Sequence, residues 1–295
     1  MKVLLTGASG QVGRAVLEAL PAQIEALALT RAQLDVADAA AVQAAIAGAQ
    51  PQLIINAAAY TAVDRAESEP ELAEAINTDG PRHLAQGARA IPGCRLLHIS
   101  TDYVFDGASP VPYQPGDATH PLSVYGRTKL LGEQAVLDLL PERAVVLRTA
   151  WVYAAQGKNF LLTMLRLMRE RGVVRVVADQ HGTPTAADSI ARALWALARR
   201  PDVCGIWHWT DGGMASWYEF ALAIAEQGRA AGLLPGPVEV TPITTADYPT
   251  AAHRPANSVL DLRSSIEAIG LTPPPWQESL RTTVRTIARA SSLPA

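Results

Sequence analysis

Cysteine is scarce: Cys94 and Cys204 are the only two in 295 residues. Two thiols cannot build a disulfide framework, so the fold must rest on an apolar core, with both thiols expected to be reduced. No excess of either charge is present. The formal net charge of -3 removes any general attraction to nucleic acid or an anionic membrane. Long apolar runs are also missing. Asn56, Arg148 and several prolines interrupt the longest ones, and none approaches the ~20 residues a membrane-spanning helix needs. Met1-Lys2 leads straight into a strand-like run, without the basic region and apolar core of a secretory signal. Internal repeats and low-complexity tracts are absent. What remains is 49% hydrophobic and 18% charged, a globular composition. The length suits one large α/β unit or two joined lobes, and the expected location is the cytoplasm.

Short apolar runs recur at 3–6, 26–29, 53–56, 96–101, 144–148 and 173–177, separated by helical stretches. Short runs ending in turn signals read as buried parallel strands, and their alternation with helices predicts a doubly wound parallel α/β sheet. The first run stops at Gly7-Ala8-Ser9-Gly10-Gln11-Val12-Gly13, and a helical stretch follows until Pro21. Strand, glycine turn and helix form a dinucleotide-binding unit. Gly7 permits the tight turn, Gly10 lets backbone approach a pyrophosphate, and Gly13 lets helix pack closely on strand. Gln11 and Val12 open the helix whose free N–H groups would face the phosphates. The second strand ends at Thr30-Arg31, where an NAD-specific site usually has Asp or Glu. A hydroxyl and a guanidinium suit a 2′-phosphate, which points to NADPH with NADH also accepted; the alternative is that Arg31 is a loop cation. The third strand runs into Ala57-Ala58-Ala59-Tyr60-Thr61, small residues that leave room for a cofactor at a strand exit.

The organising stretch is Tyr125-Gly126-Arg127-Thr128-Lys129. A helix starting near Ser123 and stopped by Pro141 puts Tyr125 and Lys129 on one face. The ammonium could then favour ionisation of the phenol, which ordinarily titrates near 10. Ser100-Thr101 ends the fourth strand where a carbonyl would need a second hydrogen bond. His98 in that strand reads as a satisfied buried histidine. Tryptophans gather late in the chain, among prolines. That change of character predicts a dinucleotide-binding domain over 1–150, with 173–203 returning to it, and a smaller, discontinuous C-terminal lobe from 151–172 and 204–295.

The G-x-x-G-x-x-G spacing resembles the extended branch of the short-chain dehydrogenase/reductase superfamily. Together with 56–64, 66–67, 100–105 and 125–129, it resembles the dTDP-4-dehydrorhamnose reductase family. Arg148-Thr149-Ala150-Trp151-Val152-Tyr153, the 179–185 stretch and His253-Arg254-Pro255-Ala256-Asn257-Ser258 agree. The resemblance covers nearly the whole chain and implies a Rossmann-type sheet. It implies reduction, by a reduced nicotinamide, of the C4 keto group of a nucleotide-linked 6-deoxyhexose.

Carried over, Tyr125 donates the proton, Lys129 holds the nicotinamide ribose, and Thr101 hydrogen-bonds substrate oxygen and tyrosine. The cofactor set becomes Gly7, Gly10, Gln11, Val12, Gly13, Thr30, Arg31, Asp35, Val36, Ala57, Ala59, Tyr60, Thr61, Ser100, Tyr125 and Lys129, with Asp35-Val36 beside the adenine. The substrate set is Thr101, Asp102, Tyr103, Trp151, Arg254 and Asn257. Trp151 would stack on the sugar, the alternative being a core tryptophan, and Arg254 could instead be a linker arginine. Some members bridge a dimer through magnesium and acidic residues. Asp188 is the only candidate here and 291–295 supply no acidic partner, so no metal is expected. The partners implied are a nucleotide sugar and at most a second copy, as monomer or homodimer. Rival readings are a sugar-nucleotide dehydratase or epimerase and a non-catalytic NADP-binding regulatory subunit. The dehydratase expects Thr-Asp-Glu where this chain has Thr101-Asp102-Tyr103.

Overall fold

A computed structural model describes residues 1–292. Leu293, Pro294 and Ala295, the end of the stretch read above for its lack of acidic groups, lie outside the described residues. The expected doubly wound sheet is present. Its first five strands are β1 (Lys2–Thr6), β2 (Glu25–Leu29), β3 (Leu53–Asn56), β4 (Arg95–Thr101) and β5 (Ala144–Thr149). With Gly205–His208 they form a six-stranded parallel sheet in the order Gly205–His208, β5, β4, β3, β1, β2. The chain goes from β1 outward to β2, then returns to β3 on β1's other side. That reversal opens a crevice at the carboxyl ends of β1 and β3.

Both faces of the sheet are covered. Helix α1 (Gln11–Glu18) and helix Ala187–Ala198 cover one face with Val16, Ile190 and Leu194. Helix α2 (Ala39–Ala49) and the helices Gly80–Ala90 and Val124–Leu139 cover the other with Ile46, Leu84 and Val136. This two-sided burial explains why β3 and β5 are buried at every position.

The smaller lobe has its own core of Leu161, Phe220, Ile224 and Leu280, from helices Phe160–Arg171, Trp217–Ala230 and Trp276–Ser292. Here the structure corrects the expected boundaries. Strand Val173–Val177 pairs with Glu239–Ile243 in a separate two-stranded sheet, while Gly205–His208 joins the main one. The reason lies in Arg175: Val174 and Val176 are buried but Arg175 is exposed, so this strand has one wet face and cannot sit inside a sheet covered on both sides. Trp209, from the stretch expected in the smaller lobe, likewise belongs to the main sheet's core. Among the described residues, no helix is long and apolar enough to cross a membrane.

Candidate active site

The glycine turn is shaped by what would collide with a side chain. Gly7 has φ +70°, and a Cβ there would lie 2.5 Å from the Ala57 carbonyl. A Cβ on Gly13 would lie 2.2 Å from the Gly7 oxygen. Strand β3, the turn and α1 therefore meet backbone to backbone. At Gly10 the only close atom is the Gly7 oxygen at 3.2 Å, and no side chain caps α1. The turn thus presents free helix N–H groups in an open cradle, the geometry that binds a phosphate. The smaller lobe reaches this turn: Asn159 donates to Gln11 Oε1 at 2.7 Å and Arg14 to Gln156 Oε1 at 2.7 Å. Val12 packs against the core below.

Around the cradle, Ala8 N–H donates to the Leu29 carbonyl at 3.1 Å, which brings the turn beside Thr30. The Thr30 amide and hydroxyl both donate to Gln33 Oε1, while Arg31 is exposed. Asp35 is exposed and accepts from Ala37 N–H at 3.0 Å. Val36 is buried against Gly80. Ala57, Ala59 and Tyr60 are half-buried at the exit of β3. The Tyr60 backbone is clasped by Asn77, whose Oδ1 accepts from Tyr60 N–H at 2.8 Å and whose Nδ2 donates to its carbonyl. The same Nδ2 donates to Thr128 Oγ1 at 3.2 Å, within the Tyr125 helix. Asn77 sits in a π-helical turn, Ala75–Asp79, a distortion common at functional sites. No site role was assigned to it from sequence; the distortion has no sequence signature there.

The expected catalytic helix starts where its cap requires. Ser123 Oγ accepts from Gly126 N–H at 3.1 Å, and the helix runs from Val124 to Leu139. A Cβ at Gly126 would sit 2.2 Å from the Tyr103 carbonyl, so the helix start lies hard against the turn after β4. Thr101 accepts from Tyr103 N–H at 3.2 Å and donates to Asp102 Oδ1 at 3.0 Å. Ser100 is buried, its hydroxyl without a protein partner. Burial pushes the Tyr125 phenol up to about 12; a hydrogen bond with Thr101 pulls the other way, and nearby Asp102 raises it further. Burial pushes the Asp102 carboxyl up to about 6.

This corrects the expected electrostatics. Lys129 does not contribute to the shift of the phenol: its Nζ donates to the Ile99 carbonyl at 2.7 Å and lies 3.5 Å from His98 Nε2. Burial lowers Lys129 to about 8, with Glu133 opposing. A phenol held protonated is the form that can give a proton away. Beneath the helix, Glu133 and Arg148 form a buried two-point pair at 2.6 and 3.0 Å.

Between this cluster and the smaller lobe lies a cleft of about 870 Å³, lined among others by Tyr103, Phe160, Arg171, Arg175, Trp217 and Arg254. Thr61, expected on the cofactor side, stands on this wall. Arg254 is fixed there by Asp64 at 2.7 and 3.1 Å, so it is not a free linker arginine. Two expectations change. Asn257 does not face the cleft's ligand space: its Nδ2 donates to the Ser109 carbonyl at 2.8 Å and its Oδ1 accepts from Val259 N–H, which ties two loops together. Trp151 lies flat on Trp217, with centroids 3.5 Å apart and planes 5° apart, and against Gly182, where a Cβ would meet its ring at 2.5 Å. Trp217 is the tryptophan on the cleft wall. Trp151 holds φ +46°, a strained backbone for a bulky residue. Arg171, Arg175 and Phe160 were missed. The exposed Arg175 between buried valines was the available signal.

A family model described as the RmlD substrate binding domain matches residues 1–289. A dTDP-4-dehydrorhamnose reductase of Aggregatibacter actinomycetemcomitans is 43% identical over 95% of this chain and 97% of its own length. The crystal structure of a dTDP-4-dehydrorhamnose reductase from Clostridium acetobutylicum matches with TM-score 0.91 and 38% identity, covering 97% of this chain and 99% of its own. One from Bacillus anthracis, in complex with NADP, matches with TM-score 0.89 and 35% identity over 96% and 98% of the two chains. With matches of this extent over the glycine turn, the tyrosine helix and the cleft alike, the chain belongs to the dTDP-4-dehydrorhamnose reductase family.

Proposed function

We propose that this protein reduces the C4 keto group of dTDP-4-dehydro-6-deoxy-L-mannose, giving dTDP-L-rhamnose, with NADPH as the preferred cofactor and NADH as a poorer one. The observation that carries this reading is the convergence of buried Thr101 and half-buried Tyr125 between an open phosphate cradle and an arginine-lined cleft. The cradle at Gly10, which no side chain fills, fits a dinucleotide pyrophosphate on α1. A reduced nicotinamide supplies the hydride when bound. The chain's own residues then manage the oxygen. As C4 becomes tetrahedral its oxygen gains negative charge, which Thr101 Oγ–H stabilises by a hydrogen bond and Tyr125 O–H neutralises by proton transfer. Lys129, one helical turn after Tyr125, would meet the nicotinamide ribose. Arg254, Arg171 and Arg175 suit a diphosphate, and Trp217 with Phe160 suits the planar base or the sugar.

The cofactor's 2′-phosphate would meet Arg31, exposed beside Thr30. Tyr103 occupies the position where a dehydratase needs a carboxylate. The test is NADPH oxidation followed by absorbance with the purified chain and dTDP-4-dehydro-6-deoxy-L-mannose. Stoichiometric oxidation is expected. Tight NADPH binding without turnover, together with copurification of a larger enzyme, would replace this reading with that of a regulatory subunit.

A further inference from the structure

A buried chain of side chains runs from the glycine turn to Lys129. At its start Thr6 Oγ–H donates to Asn56 Oδ1 at 2.7 Å, and Ala58 N–H donates to the same oxygen at 3.1 Å. The Ala58 amide can only donate, so it fixes which end of the Asn56 amide is oxygen. Asn56 Nδ2 must then donate to His98 Nδ1, 3.0 Å away. His98 is fully buried, and burial together with Lys129 holds its pKa well below the usual histidine range. A neutral ring whose Nδ1 accepts carries its proton on Nε2. That N–H faces Lys129 Nζ at 3.5 Å.

Two donors facing each other repel. If Lys129 is an ammonium, the His98 N–H opposes it; if it is an amine, the N–H can donate to the nitrogen lone pair. We propose that His98 is a positioning residue for Lys129: its tautomer, set by Asn56, turns Nζ onto the Ile99 carbonyl and disfavours the ammonium form. The other titratable groups around Lys129 are Glu133 on its own helix, paired with Arg148 from β5, Tyr125 one turn before it, and Asp102 after β4, beside Tyr125. The Ala75–Asp79 turn offers the helix neutral Asn77 and Thr78. None of these sets the direction of the His98 proton.

The kinetic part of the test rests on the reductase reading; the spectroscopic part does not. In the wild-type chain labelled with [15N]histidine, with the His98 signals assigned by their loss in His98→Gln, NMR should show Nδ1 unprotonated and Nε2 protonated throughout the neutral range. A proton on Nδ1, or titration near the ordinary histidine value of about 6.5, overturns the proposal. In His98→Gln the amide can turn its oxygen to Nζ and stabilise the ammonium. The alkaline limb of kcat/KM for the sugar nucleotide should then move up by about one pH unit, and Asn56→Ala, which frees the His98 tautomer, should move it the same way. A limb that stays in place in a folded His98→Gln variant, with only kcat or Tm lowered, reduces His98 to packing. If the wild type shows no turnover at all, the reductase reading fails while the NMR result still decides the tautomer.

Discussion

The glycine cradle and the arginine-lined cleft are built by different means. The cradle comes from one contiguous stretch, Gly7 to Gly13, set against one strand exit, Ala57 to Ala59. Its constraint is backbone packed so closely that a Cβ added at Gly7 or Gly13 would lie 2.2 to 2.5 Å from neighbouring backbone atoms. The cleft draws on pieces far apart in the chain, from Thr61 to Arg254, held by side-chain pairs such as Asp64–Arg254 and Trp151–Trp217. A site made by excluding side chains imposes its spacing on the sequence. A site made by side chains from distant segments can be rearranged with little trace in any one of them.

If the two halves are separable, substitutions at their junction should hurt turnover most and those on either wall should hurt one ligand only. The largest effect is expected from Tyr125→Phe, which should lower kcat by a factor on the order of 10²–10⁴, with the NADPH Kd nearly unchanged by fluorescence titration. Thr101→Val should cost less, since it removes a hydrogen bond but not the proton source. Glu133→Ala leaves Arg148 buried and unpaired beneath the tyrosine helix, and denaturant unfolding should show a loss of about 3–5 kcal/mol. On the cleft wall, Arg175→Ala should raise KM for the sugar nucleotide about tenfold, near 1.4 kcal/mol, and leave cofactor affinity alone. Trp217→Ala should act in the same direction and also unpair Trp151. Equal losses for both ligands would show that the halves are not separable. The smallest effect is expected at Arg31, whose exposed guanidinium should be worth up to ~1 kcal/mol. Arg31→Ala should narrow the preference for NADPH over NADH by about fivefold; an unchanged ratio would make it a loop cation.

The sheet was legible because buried parallel strands read as short apolar runs, and the tyrosine helix because Ser123 and Pro141 mark its ends. Gly205–His208 was not legible as a sheet strand: it is short, lies at the sheet's edge and carries Trp207 and His208, which suited a tryptophan-rich lobe better. Val173–Val177 reads as a strand of the main sheet from its valines alone, and only the exposed Arg175 between them marks the wet face that puts it with Glu239–Ile243. The direction of the Lys129 side chain was beyond the i, i+4 spacing. That spacing puts it on the face of Tyr125, but the Ile99 carbonyl, a backbone group of another element, accepts a hydrogen bond from its Nζ. His98 was read as a satisfied core histidine, and its partners explain why sequence could say no more: Asn56 and Lys129 lie 42 and 31 residues away.

The central claim is that hydride goes directly to C4 of the sugar while Tyr125 protonates the oxygen. Its most direct test uses NADPH deuterated at the transferable C4 position of the nicotinamide, with the wild-type chain and dTDP-4-dehydro-6-deoxy-L-mannose. The product should carry the label at the sugar's C4 and be one deuterium-for-hydrogen exchange heavier than the unlabelled product. Deuterium at any other sugar carbon, or NADPH left unoxidised with active substrate present, would contradict it.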